Sequence, residues 1–99
     1  MVDEEEVVVL PIDGVLDLHA FKPGEVKSLV AAYIDECCHK GIRELRIIHG
    51  KGTGTLRRTV HSVLGRLPAV AAFRLAGEDA GGWGATLVVL HPHCRKEER

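Results

Sequence analysis

The stretch Arg46–Arg58, RIIHGKGTGTLRR, decides how the chain is read. Ile47 and Ile48 are β-branched residues that favour a strand, and they run into His49 and a turn carrying Gly50, Gly52 and Gly54. Helix-compatible residues follow, so the segment reads as strand, glycine-rich turn and helix start. N–H groups left unpaired at a helix N-terminus point outward, and glycines allow a phosphate or another backbone to come close. Lys51 lies within the turn, while Arg57 and Arg58 stand further along on the helix. An anion fits there, and phosphate is the first ligand to consider.

The spacing departs from the better-known phosphate loops. A Walker A loop needs Gly, four residues, Gly, Lys and then Ser or Thr, and no register here supplies it. A dinucleotide fingerprint begun at Gly50 would need its third glycine at Thr55, and one begun at Gly52 would need it at Arg57. The plain alternative is a tight strand-to-helix turn whose glycines only satisfy positive φ angles.

Charge is segregated around this turn. From Met1 to His39 there are nine acidic residues against Lys22 and Lys27; from Lys40 to Arg74 there are eight Lys or Arg and only Glu44. A basic block that surrounds a glycine turn points to a polyanionic partner more than an isolated charged tail would. The 99 residues make one domain, large enough to bury a core without metals or crosslinks. Cys37, Cys38 and Cys94 are odd in number and lack zinc-ribbon spacing, which argues for a reducing compartment. No apolar run approaches the roughly 18 residues of a membrane span, and no signal-peptide order is present. The expectation is a cytoplasmic protein without a membrane partner.

Outward from the turn, the elements follow in order. Residues 1–14 form an N-terminal extension whose acidic start, Asp3–Glu6, is a solubilising end; Val7–Ile12 within it is a candidate extra strand, and Asp13-Gly14 is a turn signal. Val15–His19 reads as a strand with Leu16 and Leu18 on one face and Asp17 and His19 on the other. Pro23 opens a helix in which Val26, Leu29, Val30, Tyr33, Ile34 and Cys37 form one apolar stripe, and Gly41 ends it. Leu45–Ile48 is the next strand. A second helix, capped by Thr53 or Thr55, buries Leu56, Val60, Val63, Leu64 and Leu67 before Pro68 stops it, leaving His61 exposed. Val70–Leu75 and Ala85–Leu90 are the last strands, separated by the loop Gly77–Gly84, and residues 92–99 form a polar, frayed tail.

This order predicts an α/β fold: a βαβαββ two-layer sandwich with two helices on a mixed four-stranded sheet. Right-handed crossovers make the first three of these strands parallel, and the short final connection makes the last antiparallel. Asp17 with His19, the His49–Gly54 turn and the Gly77–Gly84 loop then emerge at one edge of the sheet.

At this point LDLH at Leu16–His19, IIHGKGTGTLR at Ile47–Arg57 and GGWGATLVVL at Gly81–Leu90 together resemble the three signatures of the Smr, or small MutS-related, domain. The resemblance covers residues 15–91 as the domain, and the MutS-like ATPase and clamp regions have no room here, so the chain resembles the free-standing type. It implies a fold similar to the C-terminal domain of bacterial translation initiation factor three. It also implies endonuclease activity: DNA nicking, cleavage of branched structures, or RNA cleavage, with a link to DNA repair and recombination. It carries a catalytic role onto Asp17 and His19, and nucleic-acid binding onto His49, Gly50, Lys51 and Gly52. The commonest family form has Gly directly after the LDLH histidine; here that residue is Ala20.

Phosphodiester hydrolysis needs a base for the nucleophile, stabilisation of the crowded phosphate, and an acid or metal for the leaving oxygen. Either Asp17 orients His19 or the two share a divalent ion, Mg²⁺ or Mn²⁺. His49 is a second candidate acid or base. Lys51 and the N–H groups of Gly50, Gly52 and Gly54 would face the phosphate, with Arg57 and Arg58 on the neighbouring backbone. Trp83 either stacks on a base or packs under its loop. Arg46 and Arg74 are weaker candidates. His91, His93 and Cys94, with Cys37, Cys38 and His39, offer metal-ligand types without an established spacing, so no metal site is assigned. Three functions remain: a nuclease for DNA or RNA, a non-catalytic nucleic-acid-binding module, or a site for a small phosphorylated metabolite.

Overall fold

Residues Ala85–Leu90, ATLVVL, are apolar apart from Thr86, as befits a strand with a neighbour on each side. In the computed structural model, which describes residues 12–50, 54–77, 84–92 and 94, this strand lies inside the sheet. The elements in order are β1 (Val15–Asp17), α1 (Val26–Lys40), β2 (Glu44–Ile48), α2 (Thr55–Leu64), β3 (Val70–Leu75) and β4 (Ala85–Leu90). The sheet order is β1-β2-β4-β3, with β1 parallel to β2 and β4 antiparallel to both β2 and β3. The first three strands therefore run the same way, and β4 is threaded between two of them. This is the mixed four-stranded sheet with two helices that the order of elements predicts. The N-terminal segment proposed as a strand falls on residues outside those described, apart from Ile12.

Strand alternation sorts the sheet into two faces. Leu16, Leu45, Ile47, Val88 and Leu90 point into a common core with Val26, Val30 and Ile34 of α1 and Val60 and Leu64 of α2. The opposite face is open, and Val15 and Val89 are exposed on it. Cys37 is fully buried in the helix stripe, and burial pushes its thiol up to about 11, so it packs as a neutral thiol. Gly41 closes α1 in the left-handed conformation at φ 79°, where a side chain would be strained.

Four local readings are corrected by the structure. β1 ends at Asp17, because that side chain caps a following 3₁₀ turn, Leu18–Ala20, and draws the chain out of the sheet. Helix α2 is preceded by Gly54 at φ 89°, with Thr55 as its first residue, and it ends at Leu64, short of Pro68. Leu67 still packs against the core from the turn beyond. Cys38 and Cys94 are joined in a disulfide across 56 residues. The tail is thus held at Cys94, and the cysteine count no longer speaks for a reducing compartment.

Tyr33 fixes the start of β1. Its buried hydroxyl accepts the Gly14 N–H at 3.0 Å and donates to the Val15 carbonyl at 3.1 Å, tying α1 to the strand that delivers Asp17. Tyr33→Phe leaves both backbone groups without this partner and is expected to cost about 1–2 kcal/mol of stability in a denaturant melt.

Candidate nucleic-acid interface

Asp17 and His19 form a preset pair. The Asp17 carboxylate accepts the His19 backbone N–H at 2.9 Å, and the same oxygen lies 2.7 Å from His19 Nδ1. The His19 N–H and then its ring hold the Asp17 carboxyl below the usual carboxylate range. An ionised carboxylate only accepts, so Nδ1 carries the hydrogen and, in the neutral ring, Nε2 keeps its lone pair. Both side chains are open to solvent, at 58% and 67% exposure for Asp17 and His19.

Nε2 faces the glycine turn. It stands 3.3 Å from where a Cβ on Gly50 would lie, and Gly50 has φ 85°, so glycine is required there for both space and backbone conformation. The turn is held from β4: the N–H groups of His49 and Gly50 both donate to the Gly84 carbonyl, at 2.9 and 2.8 Å. His19 of the first signature, Gly50 of the second and Gly84 of the third therefore meet at one edge. Gly54, at the opposite end of the turn, lies under the Arg57 guanidinium, whose Nη2 is 3.1 Å from a Cβ position there. Arg58 is exposed one residue further on. Lys51, Gly52 and Trp83 lie outside the described residues.

Register settles the two weaker arginines. Val15, Arg46, Leu87 and Arg74 pair across the sheet in one row, on the open face that also carries Asp17. Cations thus lie on that face as well as on α2.

His49 differs from its sequence reading. It is 5% exposed, with Nδ1 3.0 Å from the Gly50 carbonyl and Nε2 2.8 Å from the Thr86 hydroxyl, so both nitrogens already have protein partners. His61, expected to be exposed, is half-buried: its Nε2 is 2.8 Å from the same Thr86 hydroxyl, and its ring packs edgewise on Phe73 at 4.9 Å. Burial, then His49 and Arg57, hold the His61 imidazole below the usual histidine range. Sequence reasoning missed Thr86. The available signal was a lone hydroxyl in an otherwise apolar strand, which must find a partner once buried.

Among the described residues no three His, Cys, Asp or Glu side chains gather to hold a metal ion. Asp17 and His19 engage each other through Asp17 Oδ1 and His19 Nδ1. No helix among the described residues is long and apolar enough to cross a membrane.

A βαβαββ sandwich thus brings an Asp–x–His pair, Gly50 and the arginines of α2 to one edge. The family model "Smr domain" matches residues 16–91, and the chain belongs to that family. It is 45% identical over 76 residues to a protein named Endonuclease MutS2 from Solidesulfovibrio magneticus, and 40% identical over 75 residues to its namesake from Clostridium novyi. These matches cover 77% and 76% of this chain, which spans about a tenth of the length of either relative. The Smr domain of Thermus thermophilus MutS2 superposes with a TM-score of 0.75 at 35% identity, over 81% of this chain and 100% of that one. YdaL from Escherichia coli, a stand-alone small MutS-related protein, superposes with a TM-score of 0.67 at 30% identity, over 79% and 64% of the two chains.

Two outcomes test this geometry. Gly50→Ala forces a left-handed residue to carry a Cβ against His19, and is expected to cost about 1–2 kcal/mol in a thermal melt and to shift the His19 ring resonances. The depressed His61 makes stability depend on pH: the unfolded ring binds a proton more readily than the folded one, so this contribution is complete above about 6.5 and is lost as pH falls below it. Denaturant midpoints measured from pH 8 to pH 5 should fall, and His61→Phe should flatten that slope.

Proposed function

We propose that this domain is a nucleic-acid endonuclease in which His19 is the general base. The observation that carries the reading is the Asp17–His19 pair with Nε2 turned toward the Gly50 turn. In the proposed step His19 Nε2 takes a proton from the nucleophile, whose oxygen attacks phosphorus. Asp17 stabilises the imidazolium that results. The bond to the leaving oxygen breaks, and the imidazolium gives its proton to that oxygen, directly or through a water, which returns His19 to its starting state. Arg57 and Arg58 at the start of α2 supply positive charge for the phosphate, and Arg46 and Arg74 offer a second cationic patch along the strand's path. His49, with both nitrogens engaged, holds the turn in this reading and moves no proton. The similarity to proteins named Endonuclease MutS2 supports the assignment at the level of the family. The wide cationic surface favours a polymer over a small phosphorylated metabolite.

The test is cleavage of branched DNA and of structured RNA by the purified protein. His19→Ala is expected to lower the cleavage rate by about 10²- to 10⁴-fold while binding changes little, and Asp17→Asn should fall between the two. Binding without cleavage, unaffected by either substitution, would make the domain a non-catalytic nucleic-acid-binding module. Affinity should also fall steeply with salt, with a log–log slope of about −0.7 per phosphate neutralised on a single strand, hence roughly −2 or steeper for three contacts. A flat salt response would point back to a small anion.

A further inference from the structure

The two imidazoles behind the turn share one hydroxyl. Thr86 is fully buried at 0% exposure, and its Oγ1 is 2.8 Å from His49 Nε2 and 2.8 Å from His61 Nε2. The direction of these bonds follows from what each group can do. The Gly50 carbonyl only accepts, so His49 Nδ1, 3.0 Å away, carries the hydrogen. In the neutral ring His49 Nε2 is then a lone pair, and the single O–H of Thr86 donates to it. The Thr86 oxygen in turn accepts from His61 Nε2–H. The hydrogens run one way, from the His61 ring through Thr86 and His49 to the Gly50 carbonyl.

We propose that Thr86 and His61 are positioning residues that fix the tautomer of His49, and through it the orientation of the Gly50 turn that faces His19. The proposal rests on the reading of this edge as the nucleic-acid site and names what holds that site in shape. Each member comes from a different element: His61 from α2, Thr86 from β4, and His49 from the end of β2. The chain therefore ties the second helix to the turn through the sheet. Its direction also makes it sensitive to an added proton. A proton on His49 Nε2 converts that atom from acceptor to donor, and the Thr86 hydrogen then loses its acceptor in a site closed to water. The groups that meet the His61 ring among the described residues disfavour a proton on that ring. The rings face each other at 6.3 Å, Arg57 bears on His61 from the same helix, Phe73 packs on it from β3, and the Asp17 carboxylate is taken up by His19.

Long-range ¹H–¹⁵N spectra of the histidine rings in the wild-type protein test this without any substitution. At neutral pH His49 should be protonated at Nδ1 and bare at Nε2, and His61 protonated at Nε2. A His49 ring protonated at Nε2 alone would overturn the proposal. Thr86→Val keeps the shape and removes the hydroxyl; it should give a mixed His49 tautomer, and Thr86→Ser should restore the single one. In the wild type the Gly50 amide resonance should follow the titration of His61, and in Thr86→Val it should not. Identical Gly50 titrations in both would show that the hydroxyl relays nothing and would end the argument. Affinity for a short single-stranded oligonucleotide should fall by about threefold to tenfold in Thr86→Val and recover in Thr86→Ser, since one net hydrogen bond is at stake. A wild-type protein with no affinity for the oligonucleotide would sink the nucleic-acid reading of the edge, while the ring spectra would still decide the hydrogen-bond chain.

Discussion

Two backbone N–H groups on one strand end converge on a single carbonyl, and the candidate site depends on that convergence. His49 and Gly50 both donate to Gly84 because β4 enters the sheet between β2 and β3, running against both. An edge position for β4 would leave these donors far from Gly84. The insertion also sets Thr86 opposite Ile47, on the face turned toward the helices, where its hydroxyl can reach His49. The sheet order thus produces both the outer surface of the turn and its buried support.

Much of the fold was legible because local signals agreed with one another. The apolar stripe from Val26 to Cys37, the glycine at 41 and the alternation of Leu16 with Asp17 each act over a few residues, and the structure keeps them. The departures arise where a side chain competes with the regular backbone. Asp17 captures the His19 N–H and ends β1 early, which a strand pattern alone does not register. Gly54 takes the residue before α2 in a left-handed conformation that neither threonine would adopt readily. The pairing of Cys38 with Cys94 depends on a long-range approach of the tail to α1, about which spacing is silent.

The site was legible in part for the same reason. Motif and topology together bring Asp17, His19 and Gly50 to one edge, and the structure adds the direction of the His19 ring. Burial was not legible. His49 looked like a reactive imidazole because its neighbours in sequence are glycines and cations, but alternation after Ile48 turns it inward. His61 looked like a solvated helical residue, yet it meets Phe73 and Thr86 from strands that sequence distance hides. Of these three histidines, His19 is exposed, while His49 and the half-buried His61 meet at the Thr86 hydroxyl.

The central claim is that this edge grips a nucleic-acid backbone. The most direct measurement is a titration of ¹⁵N-labelled protein with a short single-stranded oligonucleotide, following every backbone amide. The account predicts that the largest shifts fall on His19, Gly50, Gly54, Arg57, Arg58 and Gly84. Shifts confined to the opposite edge, around Leu67–Ala69 and His91, or no shifts at saturating oligonucleotide, would contradict it.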